Sequence, residues 1–199
     1  MTGIILFGDS VFFGTGATNR NNGCGRILRT LGVNVVIKGR NGDTTREGLK
    51  RLEVDVLKKN GYSHVILLFG NNDCKLIDVN KALVDLKEYR DNLSEMIHRI
   101  KLSGKTPLIS NLQPIDSEGF YKTYPEIKKF IAMEDTPYQW HKKYSDICTE
   151  IAKSERIQLL DIRSRLEERK EEVLASDGLH PNDLGHKIIA DTIFKTLII

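Results

Sequence analysis

The stretch Ile4-Ile5-Leu6-Phe7-Gly8-Asp9-Ser10 begins with an unbroken run of four apolar residues and continues with a glycine and two polar residues. Four successive apolar residues between polar flanks are typical of a strand buried on both faces of a sheet. Four more short apolar runs are each followed by polar residues or glycine. The five predicted strands cover residues 4–7, 34–38, 65–69, 107–109 and 157–160.

Longer stretches with helical spacing separate these strands. In one of them, Leu93, Met96, Ile97 and Ile100 fall on a single helix face. Apolar strands that alternate with helices indicate a parallel sheet covered on both faces, because each right-handed crossover lays its helix against the sheet. The sequence therefore predicts an α/β fold, a three-layer α/β/α sandwich with a five-stranded parallel sheet, in a single domain over residues 1–199.

Composition excludes several classes of protein. The chain has 199 residues, 30 Lys and Arg against 27 Asp and Glu, and a formal net charge of +3. This balance favours neither a nucleic acid nor an anionic membrane as partner. No apolar run approaches the roughly 20 residues of a spanning helix, and the features of a secretory signal are missing, so we expect a cytoplasmic protein unless a leader was removed. The three cysteines form no Cys-x-x-Cys pair, which argues against a disulfide framework or a structural zinc site.

Residues 112–144 interrupt the alternation of strands and helices. This stretch of 33 residues holds seven of the 14 aromatic residues of the chain. Connections in compact domains are usually shorter. Two interpretations stay open: the aromatic side chains pack a small core of their own, or the segment forms a lid or acyl pocket beside an active site.

Small and polar residues follow the first three predicted strands. Ser10 follows the first strand, Gly42 the second and Asn72 the third. The carboxyl ends of the strands in an open parallel sheet border the crevice in which ligands bind. Asp177 and His180 share one predicted loop before the last helix. We therefore expect these residues to meet at one site.

Ser10, His180 and Asp177 supply a hydroxyl nucleophile, a base and a group that fixes the tautomer of the base. The Asp-x-x-His spacing lets the carboxylate accept from one imidazole nitrogen while the other nitrogen faces the serine. Acyl transfer also needs donors for the developing oxyanion. The candidates are the backbone amides of Ser10 and Gly42 and the side-chain amide of Asn72. Taken singly, each of these residues could serve a turn or a helix cap, and it is their combination that favours catalysis.

Four sequence blocks resemble the SGNH or GDSL hydrolases, a family of serine esterases and lipases. The blocks are residues 8–10 (Gly-Asp-Ser), 42–44 (Gly-Asp-Thr), 70–73 (Gly-Asn-Asn-Asp) and 177–182 (Asp-Gly-Leu-His-Pro-Asn), in family order. The resemblance implies a flavodoxin-like fold, Ser10 as nucleophile, His180 as base and Asp177 as its orienting group. It also implies an oxyanion hole of Ser10, Gly42 and Asn72, and hydrolysis of carboxylic esters through an acyl-enzyme. Val11 departs from the leucine of the family name and removes no reacting group.

Two alternative functions are retained. The loop of residues 15–19 has some likeness to a phosphate-binding loop, which would suit a flavin- or nucleotide-binding module. Asp9, Asp73 and Asp177 could instead serve a Mg²⁺-dependent phosphoesterase. Under the leading hypothesis we expect no cofactor and no metal, and a small-molecule ester as the substrate, whether a short-chain acyl, acetyl-carbohydrate or lipid ester. The acyl and alcohol groups, acyl transfer to other acceptors and the oligomeric state stay open.

Overall fold

The computed structural model describes residues 3–131 and 135–198, with the side chain of residue 198 left out. The strands within these residues are β1 (Gly3–Gly8), β2 (Val35–Gly39), β3 (Tyr62–Leu68), β4 (Leu76–Asp78), β5 (Lys81–Ala82), β6 (Thr106–Ser110) and β7 (Gln158–Leu160). The helices are α1 (Ser10–Phe13), α2 (Cys24–Thr30), α3 (Thr45–Leu52), α4 (Leu86–Leu102), α5 (Ser117–Thr123), α6 (Pro137–Ser154), α7 (Ile162–Glu167), α8 (Lys170–Val173) and α9 (Asp183–Ile198). Shorter helical turns lie at Arg20–Asn22, Glu53–Leu57 and Pro125–Lys129.

Five strands form one parallel sheet in the order β2-β1-β3-β6-β7. This is the flavodoxin-like order, and it confirms the predicted fold class. The ends of the five predicted strands differ from those of the structure by no more than three residues. The short antiparallel hairpin of β4 and β5 was not predicted, because strands of three and two residues carry too little alternation to be recognised.

The helices form a layer on each face of the sheet. Helices α2 and α9 pack together on one side, with α7 and α8 against α9, and helices α3, α4 and α6 pack side by side on the other. The central strand β1 is covered on both faces, because Ile5, Leu6 and Phe7 are fully buried. This burial explains why the strand is an unbroken apolar run. None of the described helices has both the length and the apolar character needed to cross a bilayer.

The segment predicted as an insert lies between β6 and α6 and continues into α6. It contains α5 and the turn at Pro125–Lys129, and the crossover helix α6 already begins at Pro137. Residues 132–134 lie outside the described part of the chain. The insert segment contacts the β4–β5 hairpin, since the amide of Asn80 donates to the carbonyl of Phe130 at 2.9 Å. Together they form a wall above the carboxyl edge of the sheet.

The strand order reverses at β1: β2 lies on one side of β1, and β3, the next strand along the chain, lies on the other side. Gly8 at the end of β1 pairs in register with Gly39 of β2 and Leu68 of β3. The loops that follow these strands therefore emerge side by side. This is the switch point at which open α/β sheets bind their ligands.

Candidate active site

Ser10 lies at the turn from β1 into the four-residue helix α1. The carboxylate of Asp9 caps this helix and accepts a hydrogen bond of 3.0 Å from the amide of Val11. Gly14 ends the helix in the left-handed conformation, and the amides of Gly14 and Thr15 donate to the carbonyl of Ser10. The sharp turn from strand to helix places Ser10 in the wall of a cavity, where the residue is only 6% exposed.

The loop between α8 and α9 brings His180 to the hydroxyl of Ser10. His180 Nε2 lies 2.9 Å from Ser10 Oγ, and His180 Nδ1 lies 2.6 Å from Asp177 Oδ2. An ionised carboxylate only accepts hydrogen bonds, so Nδ1 carries the proton and Nε2 presents its lone pair to the serine O–H. The structure thus brings together the three side chains that the sequence pattern singled out.

Hydrogen bonds hold Asp177 in its charged form. Burial by itself raises the pKa of a carboxyl group. The ring of His180 and the backbone amides of His180 and Leu179 all donate to this carboxylate, and together they outweigh burial and lower the pKa of Asp177 below its usual value. The negative charge is therefore present at neutral pH, directly beside His180 Nδ1.

Close packing fixes the loop between α8 and α9, here named the histidine loop, against the loop that follows α1. Gly16 has φ +94°, and a Cβ there would lie 2.3 Å from the carbonyl oxygen of Pro181 and 2.8 Å from Cβ of His180. Only glycine accommodates both this backbone conformation and this contact. Asp183, the first residue of α9, accepts hydrogen bonds from the amide and the hydroxyl of Thr18 at 2.8 and 2.6 Å. These contacts define the separation of the two loops.

Asn72 presents its side-chain amide beside the serine and the histidine. Asn72 lines the same cavity as Ser10 and His180. Its Nδ2 donates a hydrogen bond of 2.9 Å to the carbonyl of Asp43. The amide nitrogen carries two N–H groups, so this bond uses one donor and fixes the orientation of the other.

Gly42 serves the turn that follows β2. The amide of Asp43 donates to the carbonyl of Arg40 at 3.4 Å, and Gly42 between them has φ +81°. A type II turn requires this conformation at its third position. The cavity lining, within the part of the chain that the structure describes, includes Ser10 and Asn72 but not Gly42. Gly42 is linked to Asn72 through the hydrogen bond to Asp43.

A cavity of about 310 Å³ lies beside Ser10. This volume is at the lower end of the range for small-molecule sites. The apolar part of its wall comes from the insert segment, the hairpin, the start of α6 and the histidine loop. These residues are Leu76, Ile115, Phe120, Tyr124, Ile127, Ile131, Trp140 and Leu179.

A sequence model of the GDSL-like lipase/acylhydrolase family matches residues 6–188, a range that includes Ser10, Asp177 and His180. The chain belongs to this family. The GDSL esterase/lipase WDL1 of Oryza sativa subsp. japonica is 26% identical to it over 206 residues, which cover 97% of this chain and 76% of the relative. The uncharacterized lipoprotein YqeF of Bacillus subtilis is 25% identical over 170 residues, which cover 79% of this chain and 69% of the relative.

Solved structures show the same fold. A lipase/acylhydrolase from Enterococcus faecalis superimposes with a TM-score of 0.76 and 25% identity, over 99% of this chain and 95% of that one. An acetylxylan esterase from Geobacillus stearothermophilus superimposes with a TM-score of 0.76 and 20% identity, over 98% of this chain and 93% of that one. This GDSL-like hydrolase is therefore an ester-hydrolysing serine hydrolase, as the sequence blocks predicted.

The carboxylates considered for a metal site of this GDSL-like hydrolase bind protein donors instead. Asp73 accepts hydrogen bonds from the amide and the hydroxyl of Thr45, and Asp9 accepts from Val11 and Asn71. Burial raises the pKa of Asp9 to about 6 and that of Asp73 to about 7. Residues 3–131 and 135–198 contain no group of three or more His, Cys, Asp or Glu side chains placed to hold a metal ion.

The loop considered for phosphate binding is also occupied by contacts within this GDSL-like hydrolase. The hydroxyl of Thr15 donates to Asn41, and Thr18 donates to Asp183. The side chain of Asn19 accepts from the amide of Asn21. These bonds engage polar groups that a phosphate-binding loop would turn towards its ligand.

Two buried amides of this GDSL-like hydrolase were given no role by the sequence analysis. Asn71 precedes Asn72 and bonds to Asp9, and Gln113 follows β6 and bonds to both Asn71 and Leu179. Gln113 also lies at the carboxyl edge of the sheet, so the rule that drew attention to the first three strands could have found it. A glutamine after a strand has no local signature of its own.

Proposed function

We propose that Ser10 is the nucleophile, His180 the general base and Asp177 the residue that orients His180. The single observation that carries this proposal is the hydrogen-bonded series from Ser10 Oγ to His180 at 2.9 Å and from His180 to Asp177 at 2.6 Å. The seryl oxygen attacks the ester carbonyl while His180 Nε2 takes its proton. The imidazolium returns this proton to the leaving alcohol, and an acyl-Ser10 ester is formed.

Water completes the reaction by attacking the acyl-Ser10 ester. His180 again accepts a proton, this time from the water molecule, and returns it to Ser10 Oγ as the acid leaves. If deacylation is the slower step, p-nitrophenyl esters should give a burst of p-nitrophenol equal to the enzyme concentration. Trapping by denaturation during turnover should then find the acyl group on Ser10. Trapped acyl groups on any other residue would contradict the proposal.

Asn72 supplies the side-chain donor of the proposed oxyanion hole, with the backbone amides of Ser10 and Gly42 as the other donors. Replacing Asn72 by Ala should lower kcat by about 10²- to 10³-fold with little change in KM, because the donor acts on charge that develops in the transition state. Asn92→Ala is a suitable control, since the Asn92 amide also donates a side-chain hydrogen bond, to Thr45 Oγ1, but Asn92 lies outside the cavity lining. Equal kcat values for the two variants would remove Asn72 from the oxyanion hole.

The apolar cavity beside Ser10 receives the acyl group in this proposal. The wall of this cavity is mostly apolar, so acyl chains longer than acetate should bind in it. Because each buried methylene contributes about 0.8 kcal/mol, kcat/KM should rise up to about fourfold per carbon before it falls.

A series of p-nitrophenyl esters from acetate to laurate measures this optimum. Ile127→Trp should move the optimum to shorter chains, because Ile127 is 8% exposed and lines the cavity. Ile77→Trp is the matched control, since Ile77 lies on the hairpin, is 47% exposed and is not in the cavity wall. An optimum at acetate that neither substitution changes would show that the acyl group does not enter the cavity.

A further inference from the structure

A buried polar network lies directly behind the proposed catalytic residues. Asp9, which precedes Ser10, is fully buried and accepts a hydrogen bond of 2.9 Å from Asn71 Nδ2. Asn71, which precedes Asn72, is 8% exposed. The segment that carries the nucleophile is therefore joined to the segment that carries the oxyanion donor.

The acceptor atom of Asn71 is shared by two donors. Because Nδ2 donates to a carboxylate, Asn71 presents Oδ1 to Gln113 Nε2 at 2.8 Å and to His141 Nε2 at 2.9 Å. His141 is 1% exposed, and burial, together with the charge of Arg163, lowers the pKa of its imidazole well below the usual value. His141 is thus neutral, with its proton on Nε2.

Gln113 extends the network to the histidine loop. Its Nε2 also donates a hydrogen bond of 3.1 Å to the carbonyl of Leu179. Leu179 lies between Asp177 and His180 in the chain, so this bond holds the loop that carries both side chains. The fully buried amide of Gln113 therefore connects the histidine loop to Asn71, and through Asn71 to Asp9.

We propose that Gln113, acting through Asn71, is a positioning residue that holds the His180 loop in register with Ser10 and Asn72. This inference rests on the proposed roles of Ser10 and His180. Misplacement of a catalytic group by about 1 Å can lower the rate by about 10²-fold. A hydrogen bond that fixes the His180 loop against the segments of Ser10 and Asn72 should therefore have a large effect on kcat. Gln113 acts through its neighbours, and its amide does not need to touch the substrate.

The network is better suited to positioning than to stability. Gln113 Oε1, His141 Nδ1 and Arg163 Nη2 are buried without a hydrogen-bond partner among the described protein groups. A partly satisfied polar network contributes less to folding than apolar side chains of similar shape. Replacement of Gln113 by an apolar residue should therefore reduce activity without a matching loss of stability.

Gln113→Met separates these two effects, because methionine is similar in volume and donates no hydrogen bond. We expect kcat, and the rate constant for phosphonylation of Ser10 by a fluorophosphonate, to fall by about 10- to 100-fold. KM should change less than about threefold, and Tm should stay within about 4 °C of the parent. Gln158→Met is the control: Gln158 is exposed on β7, and its replacement should leave all four quantities unchanged.

A double-mutant cycle with His141→Met tests the route through Asn71. Gln113 and His141 donate to the same oxygen, so the two losses in kcat should combine to less than their product. His141→Met also provides the test if Gln113→Met does not fold. Unchanged phosphonylation and kcat in the folded variants, or a loss of activity matched by a loss of Tm, would overturn the inference. The parent protein separates this result from a failure of the proposed function, because a failure of that function would already appear in the parent, as a lack of phosphonylation at Ser10.

Discussion

Ser10→Ala should lower kcat for p-nitrophenyl ester hydrolysis by about 10⁶-fold, since removal of the nucleophile from a serine hydrolase costs about this much. The oxyanion donors and the cavity stay in place and account for the residual rate. The fold should be retained, because the cap of α1 is the carboxylate of Asp9 and the only side-chain hydrogen bond found for Ser10 within the described residues is to His180. Initial rates and thermal unfolding of the purified variant measure both effects.

The chain offers a matched control for Ser10→Ala. Ser63 Oγ lies 2.8 Å from Nδ1 of its neighbour His64, in a second serine–histidine pair near the start of β3. That end of the strand is opposite the carboxyl edge at which Ser10 lies. Ser63→Ala should therefore hydrolyse esters at the parent rate. Parent-like activity in Ser10→Ala would mean that another group is the nucleophile.

Asp177→Asn should lower kcat by about 10⁴-fold through the wrong histidine tautomer. The amide oxygen of the new side chain can still accept from the backbone amides of Leu179 and His180, which Asp177 Oδ1 holds at 2.9 Å. Its NH₂ group then faces His180 Nδ1 and donates to it. The imidazole proton is displaced to Nε2, where it faces Ser10 and prevents the ring from accepting the serine proton.

Thermal unfolding distinguishes a tautomer effect from a loss of structure. The Tm of Asp177→Asn should be close to that of the parent, because the loop keeps its backbone hydrogen bonds. Asp161→Asn is the control: Asp161 also accepts from a backbone amide, that of Ser164, but none of the hydrogen bonds found for Asp161 within the described residues involves a histidine. An Asp177→Asn protein with parent-like kcat would show that another residue orients His180.

Much of the geometry near the proposed nucleophile follows from short stretches of sequence. The apolar run before Ser10 is a central strand, and the carboxyl ends of parallel strands must meet at one edge. Asp177 and His180 are three residues apart in sequence, and this short spacing places both in one loop. The order of the sheet, in contrast, was implied by the family resemblance and not by periodicity.

Long-range contacts between isolated polar residues could not be predicted. Gln113 is 42 residues from Asn71 and 66 residues from Leu179 in the chain. No periodic pattern links such positions, because each bond depends on how complete layers of the fold pack. For the same reason, the sequence placed Gly42 in the site by its motif but could not give its distance from the cavity.

The most direct measurement of the central claim is to map the adduct that a fluorophosphonate forms with the parent protein. The claim is that His180 makes the hydroxyl of Ser10 reactive. We predict one phosphonyl group per chain, located on Ser10 by peptide mass spectrometry and absent from Ser10→Ala. An adduct on a different residue, with Ser10 unmodified in folded and active protein, would contradict the account.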